Sequence, residues 1–366
     1  MLQRISLFFS LLLLLGGCAQ MASTPGNQAA KLTPCYVIYD AGSSGTRLYV
    51  FEKQGDDWLE HAGPKVSALA DPVREIRGKR WQDAEAVTDE VVAALDNIKQ
   101  DGEKWQAFDW SQQCAVQGTK VFATAGMRIA EQENRERSAE LWTMLKAKLA
   151  AKVGGSIDVQ TRTLSGYEEG LYAWLAVREK HQSNDFGIVE MGGASSQITF
   201  ACADCDKNND AVRAIEIDKQ AIQVYSYSFL GLGQDEAPKS LGFPTACSYG
   251  VGTQQADWKV ADCANQISLK AQDGLFDPYN FSRQQRGAYN TIPVQQSEVD
   301  QWFLTGAFNY MAADKIDTCC LKQGNCFNQE KSCFQAVYLE KYLDALQVSK
   351  TSEKQDVSWT RGALIC

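Results

Sequence analysis

Short apolar runs bounded by Gly, Ser and Asp recur along the chain. Such runs are typical of buried β-strands, and they predict strands at 35–39, 48–51, 120–124, 186–189 and 198–200. Other segments repeat apolar residues every three or four positions, as a helix with one buried face does. These segments predict helices over 83–99, 134–152 and 166–178.

Two of the predicted strand pairs carry the same polar signature. Asp40 ends one strand and precedes a Gly/Ser turn over 41–47, and Glu190 ends another strand and precedes a Gly/Ser turn over 191–197. Each turn alone fits an ordinary β-turn in which Gly supplies a positive φ. Because the two lie 150 positions apart in matching context, we expect two facing hairpins. Their backbone N–H groups would bind one polyphosphate, with an acid from each side directed at a metal ion.

Length and charge narrow the range of partners. The chain has 366 residues, of which 45% are hydrophobic, so it can bury a large core, and the length favours two domains. The net charge of −9 argues against a general binder of nucleic acids or anionic membranes. A polyanion would have to bind at a local site whose attraction outweighs the repulsion from the overall negative charge of the protein. We therefore expect no nucleic-acid partner, and we expect a monomer.

The N-terminal residues predict export. The apolar stretch Ile5–Leu15 is too short to span a bilayer and fits the core of a signal peptide over residues 1–17. Residues 15–18, Leu-Gly-Gly-Cys, resemble a bacterial lipoprotein signal in which Cys18 is acylated; an ordinary signal peptide with an incidental Cys18 is the alternative. Residues 18–33 would then be a flexible tether. We expect a periplasmic, outer-membrane or secreted protein that touches a membrane only through a lipid on Cys18.

Cysteine usage points to an oxidising compartment. Twelve Cys residues are many for a cytosolic protein of this size. Cys247 and Cys263 form a plausible local disulfide, and residues 319–333 contain a dense cluster of four Cys. Cys202 and Cys205 have the spacing of a zinc or thiol-redox site, with a structural disulfide as the favoured alternative.

Four segments look like the apyrase conserved regions in their usual order. They lie at 40–47, 123–128, 164–174 and 190–200, and the pair Trp359 and Gly362 is a weaker fifth match. The sequence therefore resembles the nucleoside triphosphate diphosphohydrolase (apyrase, GDA1/CD39) family, in its short bacterial secreted form.

The resemblance implies a fold and its division into lobes. The fold is α/β, with two ribonuclease-H-like lobes of the actin/Hsp70/hexokinase-like superfold and nucleotide bound in the cleft between them. We expect the first lobe to comprise 34–162 together with about 350–366, and the second lobe to comprise 163–349.

The resemblance also implies stepwise hydrolysis of nucleoside tri- and diphosphates to the monophosphate, dependent on Mg²⁺ or Ca²⁺. Of the neighbouring acids Glu168 and Glu169, the second precedes the Gly of the motif and is the implied base that activates water. The family hydrogen-bonds phosphate or the attacking water at positions that match Thr124, Ser195 and Gln197. Since the side chains of these three residues are neutral, they suit positioning rather than proton abstraction.

Asp40 and Glu190, the acids of the two hairpins, suit a divalent ion held through its water shell, as Mg²⁺ prefers. The resemblance implies that the base binds in the region of Asn309 and Tyr310. Arg47 either helps to bind substrate or is a surface charge. The expected phosphate-binding residues are Gly42, Ser43, Ser44, Gly45, Thr46, Arg47, Gly192, Gly193, Ala194 and Ser196.

One departure from the family pattern leaves the function open. Position 190 is Glu where the family usually has Asp, and the extra methylene displaces the carboxylate. A non-catalytic nucleotide-binding lipoprotein is therefore one alternative. An enzyme related to exopolyphosphatase or guanosine pentaphosphate phosphatase is the other.

Overall fold

The computed structural model describes residues 32–74, 83–98, 107–217, 219–248, 258–271, 274–280, 288–289, 292–310, 320, 329–349 and 352–365. The predicted signal peptide, Cys18 and nearly all of the predicted tether lie outside these residues. Two large mixed sheets organise the described part of the chain.

The first sheet has the strand order β3-β2-β1-β4-β5. β1 and β2 form an antiparallel hairpin, β3 continues it, and β4 and β5 add in parallel. In β1, Val37, Tyr39 and Ala41 are buried in one core while Asp40 points to the other face, since successive side chains alternate. The strands are β1 (Thr33–Gly42), β2 (Gly45–Gln54), β3 (Asp57–Val66), β4 (Cys114–Ala123) and β5 (Val159–Thr163).

The second sheet has the order β14-β13-β6-β7-β9-β8. The strands that follow β5 are β6 (Gly187–Met191), β7 (Ser195–Ala201), β8 (Val212–Ile217), β9 (Gln220–Leu230), β10 (Lys270–Ala271), β11 (Gly274–Phe276), β12 (Ala288–Tyr289), β13 (Trp302–Gly306) and β14 (Glu353–Lys354). β10, β11 and β12 form a small separate sheet.

The two large sheets share one topology. In each, an antiparallel hairpin (β1–β2 or β6–β7) is extended on one side by an antiparallel strand (β3 or β9). On the other side a parallel pair (β4–β5 or β13–β14) adds to the first strand of the hairpin. The repeated Gly/Ser hairpins of the sequence therefore occupy equivalent places in two related halves.

The predicted helices are present. The prediction for 134–152 corresponds to α4, that for 166–178 to α5, and that for 83–99 to α1, which continues as a 3₁₀ turn over Ala94–Asn97. The helices are α1 (Ala84–Ala93), α2 (Trp110–Gln113), α3 (Ala125–Glu133), α4 (Arg135–Val153), α5 (Gly166–His181), α6 (Ala237–Ser240), α7 (Val260–Gln266), α8 (Gln329–Leu346) and α9 (Trp359–Ile365).

The C-terminal helix packs between the two halves. α9 lies against α5 in a core that also contains Phe122 of β4 and Phe303 of β13. Gly362 is required there, because a Cβ at this position would overlap with the carbonyl oxygen of Tyr172. Its neighbour Arg361 pairs with Glu179 of α5 and with Asp57 of β3. The exact lobe boundaries stay a prediction.

Four disulfides join described cysteines: Cys35–Cys114, Cys202–Cys205, Cys247–Cys263 and Cys320–Cys333. The expected local pair Cys247–Cys263 is present, and Cys202 bonds to Cys205. Among the described residues no group of three or more His, Cys, Asp or Glu could hold a metal ion directly. Within the same residues, no helix is both long and apolar enough to cross a membrane.

Candidate active site

A cleft of about 410 Å³ opens where the β1–β2 and β6–β7 hairpins face each other. The hairpins nearly touch, because a Cβ at Gly193 would collide with the hydroxyl of Ser43. The cleft therefore presents both predicted cradles to one small ligand. Of the residues predicted from the sequence, it is lined by Asp40, Gly42, Ser43, Ser44, Arg47, Thr124, Glu169, Glu190, Gly192, Gly193, Ala194, Ser195, Asn309 and Tyr310.

The first hairpin is tighter than the sequence suggested. Its ladder continues to Gly42 opposite Gly45, so the turn is only Ser43 and Ser44. Gly45 and Thr46 belong to β2 and do not line the cleft. The Thr46 hydroxyl instead donates to the carbonyl of Ser67 at 2.9 Å. Of the predicted phosphate-binding stretch Gly42–Thr46, the turn residues therefore face the cleft, whereas Gly45 and Thr46 are paired within the sheet.

The second hairpin resembles the first. Its turn is Gly193 and Ala194, closed by a hydrogen bond from the Gly192 N–H to the Ser195 carbonyl at 2.9 Å. Ser196 does not line the cleft, since its hydroxyl donates to the carbonyl of Glu190 at 2.6 Å. Ser196 thus braces the strand that carries Glu190.

Helix α5 decides which of the two neighbouring acids faces the cleft. Ser165 caps the helix, and Glu168 completes the capping box by accepting from the Ser165 N–H at 2.8 Å. Glu168 also pairs with Arg162 at 2.9 Å. Partial burial acts to raise the pKa of Glu168, but these hydrogen bonds and the Arg162 charge hold it below its usual range. The adjacent Glu169 is buried and lines the cleft.

One oxygen of Glu169 receives all the hydrogen bonds that this carboxylate accepts among the described residues. Its Oε2 lies 2.7 Å from Nη2 of Arg128 and 3.0 Å from Nε2 of Gln197. The hydroxyl of Ser195 is also within 3.4 Å of Oε2. Oε1 is left for a group that enters the cleft.

Gln197 has hydrogen-bonding capacity to spare, whereas the Ser195 hydroxyl does not. Gln197 is fully buried and its Oε1 has no partner among the described residues. The Ser195 hydroxyl accepts from Arg128 at 2.9 Å and from Gln197 at 2.7 Å, and it donates its own proton to Glu169 Oε2 at 3.4 Å. Gln197 does not line the cleft and acts from behind its wall.

Burial and neighbouring negative charges destabilise the ionised forms of Asp40 and Glu190, the acids of the two hairpins. Burial raises the pKa of Asp40 to about 6; Arg47 opposes this effect and Glu169 adds to it. Burial also raises the pKa of Glu190 well above its usual value, and the charges of Glu169 and Asp40 raise it further. The Oε2 atom of Glu190 is buried without a hydrogen-bond partner among the described residues.

These acids fit a divalent cation. Carboxylate oxygens are the ligands that Mg²⁺ and Ca²⁺ prefer, and an orphaned buried carboxylate oxygen is costly unless a cation or donor satisfies it. The positive charge nearest to Asp40 is Arg47, with Nη1 at 4.0 Å from Oδ2. The surroundings of Asp40 and Glu190 therefore fit a bound divalent cation.

Aromatic and polar residues also line the cleft. Tyr310 is 66% exposed, and Asn309 donates to the carbonyl of Gln355 at 2.7 Å. Tyr49 of β2 and Trp359 of α9 line the same cleft. A planar aromatic ring could enter the cleft beside Tyr310.

Residues 31–354 match the model of the GDA1/CD39 (nucleoside phosphatase) family. The chain belongs to this family. Membership confirms the resemblance carried by the four motifs and the apyrase-type hydrolase class that they implied. The GDA1/CD39 family is generally dependent on divalent cations, which agrees with the pair of hairpin acids.

Curated relatives include members from animals and plants. The chain is 25% identical to the nucleoside-triphosphatase ntp-1 of Caenorhabditis elegans, over 90% of this chain and 72% of that protein. It is 30% identical to the probable apyrase 4 of Arabidopsis thaliana, over 56% of this chain and 40% of that protein. Against the plant apyrases, then, the matching part of the chain spans less than half of the relative's length.

Solved structures support the fold. Nucleoside triphosphate hydrolases from Neospora caninum superpose with a TM-score of 0.55 at 16% identity, covering 91% of this chain and 92% of that one. An exopolyphosphatase-like protein superposes with a TM-score of 0.50 at 14% identity, covering 90% and 98%. The two-lobed actin-like α/β fold predicted for this GDA1/CD39 member is confirmed.

Sequence reasoning missed several residues of the site. Arg128 belongs to a quoted motif but was given no role, although its position directly after Ala-Gly-Met was available as a signal. Lys65 of β3 donates to the Ser44 hydroxyl at 3.3 Å, and Lys331 of α8 pairs with Asp235 at 2.5 Å. Lys65 and Lys331 line the cleft beside the hairpin turns, whereas Arg128 lies behind the cleft wall next to Glu169. Nothing in the local sequence of the two lysines sets them apart, because folding alone brings them to the hairpins.

Proposed function

We propose that the chain hydrolyses nucleoside tri- and diphosphates to the monophosphate and phosphate, with a divalent cation and with water activated by Glu169. The observation that carries the proposal is the setting of Glu169. It lies on the wall of a cleft between two phosphate cradles, with Oε2 hydrogen-bonded and Oε1 left for a ligand.

The hairpin turns bind the phosphate chain. Ser43 and Ser44 on one side, and Gly193 and Ala194 on the other, offer hydroxyl and backbone N–H donors to phosphate oxygens. Lys65, next to Ser44, adds positive charge. Arg47 lies at the same side of the cleft and is 43% exposed, so it can reach a phosphate. These donors hold the scissile phosphorus in place for in-line attack.

The water-binding groups are complementary to one water molecule. Water has two protons, and two acceptor oxygens are proposed to receive them. One is Oε1 of Glu169 on the cleft wall, since the hydrogen bonds to this carboxylate from described residues go to Oε2. The other is Oε1 of Gln197 just behind the wall, which has no partner among the described residues. Thr124, at the start of α3, makes no side-chain cap bond and lines the cleft, so its hydroxyl is available as a further contact. The water oxygen attacks phosphorus, its proton goes to Glu169, and the bond to the bridging oxygen breaks.

Asp40 and Glu190 would hold Mg²⁺ or Ca²⁺ through its water ligands. When bound, the cation neutralises negative charge on the phosphate oxygens. Among the described residues, the cleft is lined by three cations, Arg47, Lys65 and Lys331, and by five carboxylates, those of Asp40, Glu169, Glu190, Asp235 and Asp356, so it has a deficit of positive charge for an incoming polyanion. Asn309 and Tyr310 are proposed to bind the base, with the ring of Tyr310 as one stacking face.

For the chain as a whole we propose an exported monomer, in the periplasm, in the outer membrane or secreted, anchored only if Cys18 is acylated. Ectonucleoside triphosphate diphosphohydrolase 1 of Rattus norvegicus, 26% identical over 55% of this chain and 41% of that protein, is a relative whose name places it outside the cell. The disulfides agree with an oxidising compartment.

A substrate panel tests the proposal. Purified protein is incubated with ATP, ADP, AMP, pyrophosphate and polyphosphate, each with Mg²⁺, Ca²⁺ or EDTA, and released phosphate is measured. Phosphate from ATP and ADP, but not AMP, and only with metal, is expected. Release from polyphosphate in place of nucleotides would favour the exopolyphosphatase-like alternative. No release from any nucleotide, with nucleotide still bound, would favour the non-catalytic alternative.

A further inference from the structure

Arg128 lies directly behind the proposed base. It is the fourth residue of α3, and its side chain is 13% exposed. Its Nη2 contacts Glu169 Oε2 at 2.7 Å and the Ser195 hydroxyl at 2.9 Å, and Nη1 donates to the Leu164 carbonyl at 3.3 Å. Arg128 does not line the catalytic cleft. It therefore reaches the reaction only through the residues that it holds.

We propose that Arg128 is a positioning residue that ties down Oε2 of Glu169 and so leaves Oε1 as the oxygen that takes the proton from water. This inference rests on the proposed function. It assigns different roles to the two oxygens of one carboxylate, and it gives Arg128 a role in kcat without a role in nucleotide binding.

Hydrogen bonding explains the difference between the two oxygens. An oxygen that accepts charge-assisted hydrogen bonds is less basic, because protonation would break those bonds. Oε2 receives such bonds from Arg128 and further ones from Gln197. Oε1 therefore remains the more basic oxygen, and it is the one free to meet a ligand in the cleft.

Electrostatics explains why the tether is an arginine. Asp40 and Glu190 carry the same negative charge as Glu169 and interact with it electrostatically. They would therefore repel a Glu169 side chain that was not tethered. A planar guanidinium can bond a carboxylate and a neighbouring hydroxyl at once, which a lysine cannot do with the same geometry. Arg128 thus sets the distance between Glu169 and Ser195, which itself lies on the second hairpin.

Arg128 also lines a separate groove of about 640 Å³, together with Glu131, Arg135 and Trp142. This groove shares no lining residue with the catalytic cleft. Shortening Arg128 to Ala would leave a guanidinium-shaped space reachable through this groove. A free guanidinium ion could then enter without competing with the nucleotide.

The first test is chemical rescue of Arg128→Ala, with ATP and ADP as substrates. We expect kcat to fall about 100-fold, as for a catalytic group displaced by about 1 Å, with KM changed by less than about threefold. Guanidinium ion at millimolar concentration should restore kcat about tenfold, because it rebuilds the bond to Oε2. Arg128→Lys should fall between Arg128→Ala and the wild type. Should Arg128→Ala not fold, Arg128→Lys carries the kcat and KM comparison.

Arg74→Ala is the matched control. Arg74 is 11% exposed and pairs with Glu236 at 2.5 Å and Glu133 at 3.5 Å, but it contacts no proposed catalytic residue. Arg74→Ala should lower the stability of the fold. At 25 °C it should show no fall in kcat that added guanidinium could reverse. If guanidinium does not restore kcat in Arg128→Ala, or if it raises kcat by the same factor in the control, Arg128 is merely structural and the proposal is overturned.

A double-mutant cycle separates this inference from the proposed function. If Arg128 acts through Glu169, adding Arg128→Ala to Glu169→Gln should not lower kcat further. An additional loss of about 100-fold in that background would overturn the inference, as would wild-type kcat in Arg128→Ala. Wild-type protein without metal-dependent nucleotide hydrolysis would instead overturn the proposed function itself.

Discussion

Of the carboxylates that line the cleft, Asp40, Glu169 and Glu190 carry the proposed chemistry, and their surroundings give them different tasks. Glu169 is tethered by Arg128 and Gln197, whereas Glu190 has a buried oxygen without a partner among the described residues. Asp40 lies on the far hairpin with Arg47 4.0 Å away. The tethered acid suits proton transfer, and the two under-compensated acids suit a cation.

Asp40 gives a pH-dependent stability in the absence of metal. Burial raises its pKa in the folded protein from 3.8 to about 6, so the charged form destabilises the fold. Between pH 4 and 6 the unfolded chain loses this proton first, and the free energy of unfolding falls as pH rises. Asp40→Asn should therefore be more stable than wild type above pH 6 in EDTA, by at most about 3 kcal/mol, and equal to it below pH 4. Equal urea midpoints at pH 7.5 would contradict this assignment.

Glu190 should set the metal preference. Glu190→Asp withdraws the carboxylate by about 1.5 Å and widens the space between the two hairpin acids. Ca²⁺ is larger than Mg²⁺ and tolerates irregular ligand sets, so the ratio of Ca²⁺-supported to Mg²⁺-supported kcat should rise. Metal titrations of both proteins with ATP measure this ratio. An unchanged ratio would mean that Glu190 does not hold the ion.

At the residue scale the motifs predicted positions better than contacts. The family motif selected Glu169 because it directly precedes Gly170, and helix geometry indicated only that Glu168 and Glu169 cannot both face the cleft; α5 turns Glu169 into the cleft. Thr46 and Ser196 were expected at phosphate, yet their hydroxyls are committed to backbone carbonyls. These hydrogen bonds to backbone carbonyls depend on strand register, which the motif does not encode.

At the scale of elements, strand pairing extends the hairpins beyond their apolar runs. The apolar run at 35–39 lies within a longer strand, β1 (Thr33–Gly42). Strand pairing uses only backbone hydrogen-bonding groups, so it continues beyond the apolar residues as far as Gly42. β3 was not predicted: it lies at the edge of its sheet, and most of its residues are partly exposed, so it lacks a clear apolar pattern. The Cys35–Cys114 bond was also unpredicted, since connectivity cannot be read from many cysteines.

That disulfide should stabilise the first half of the molecule. Cys35–Cys114 closes a sequence separation of 79 between β1 and β4, whereas Cys202–Cys205 closes a separation of 3. Chain entropy predicts that Cys35→Ser with Cys114→Ser costs about 4 kcal/mol and the matched Cys202→Ser with Cys205→Ser about 2 kcal/mol. Urea unfolding measures both, and folded protein should keep its kcat in each case. A larger loss from the second pair would contradict this ranking.

The whole molecule is acidic yet is built to bind a polyanion. A net charge of −9 and five carboxylates of described residues in the cleft lining oppose an incoming nucleotide, and the hairpin donors with a cation must offset them. The two related sheets place one cradle and one acid on each side of the cleft. Binding of nucleotide and of metal should therefore be coupled.

Removal of metal tests this coupling. Calorimetry with the Glu169→Gln variant, which is expected not to turn over substrate, measures ADP affinity with Mg²⁺ and with EDTA. Affinity should fall at least about tenfold in EDTA, about 1.4 kcal/mol. Mg²⁺ affinity should rise by the same factor when ADP is present. Equal ADP affinity in both buffers would contradict a metal held between the hairpins.

The most direct test of the account compares two neighbouring acids on one helix. Glu168→Gln and Glu169→Gln differ by one position, but Glu168 pairs with Arg162 outside the cleft whereas Glu169 lines it. With ATP and Mg²⁺, Glu169→Gln should lower kcat by about 10²–10⁴-fold, the contribution of a general base, and nucleotide affinity should persist. Glu168→Gln should stay within about threefold of wild type. Full kcat in Glu169→Gln, or its loss in Glu168→Gln alone, would contradict the assignment of Glu169 as the base.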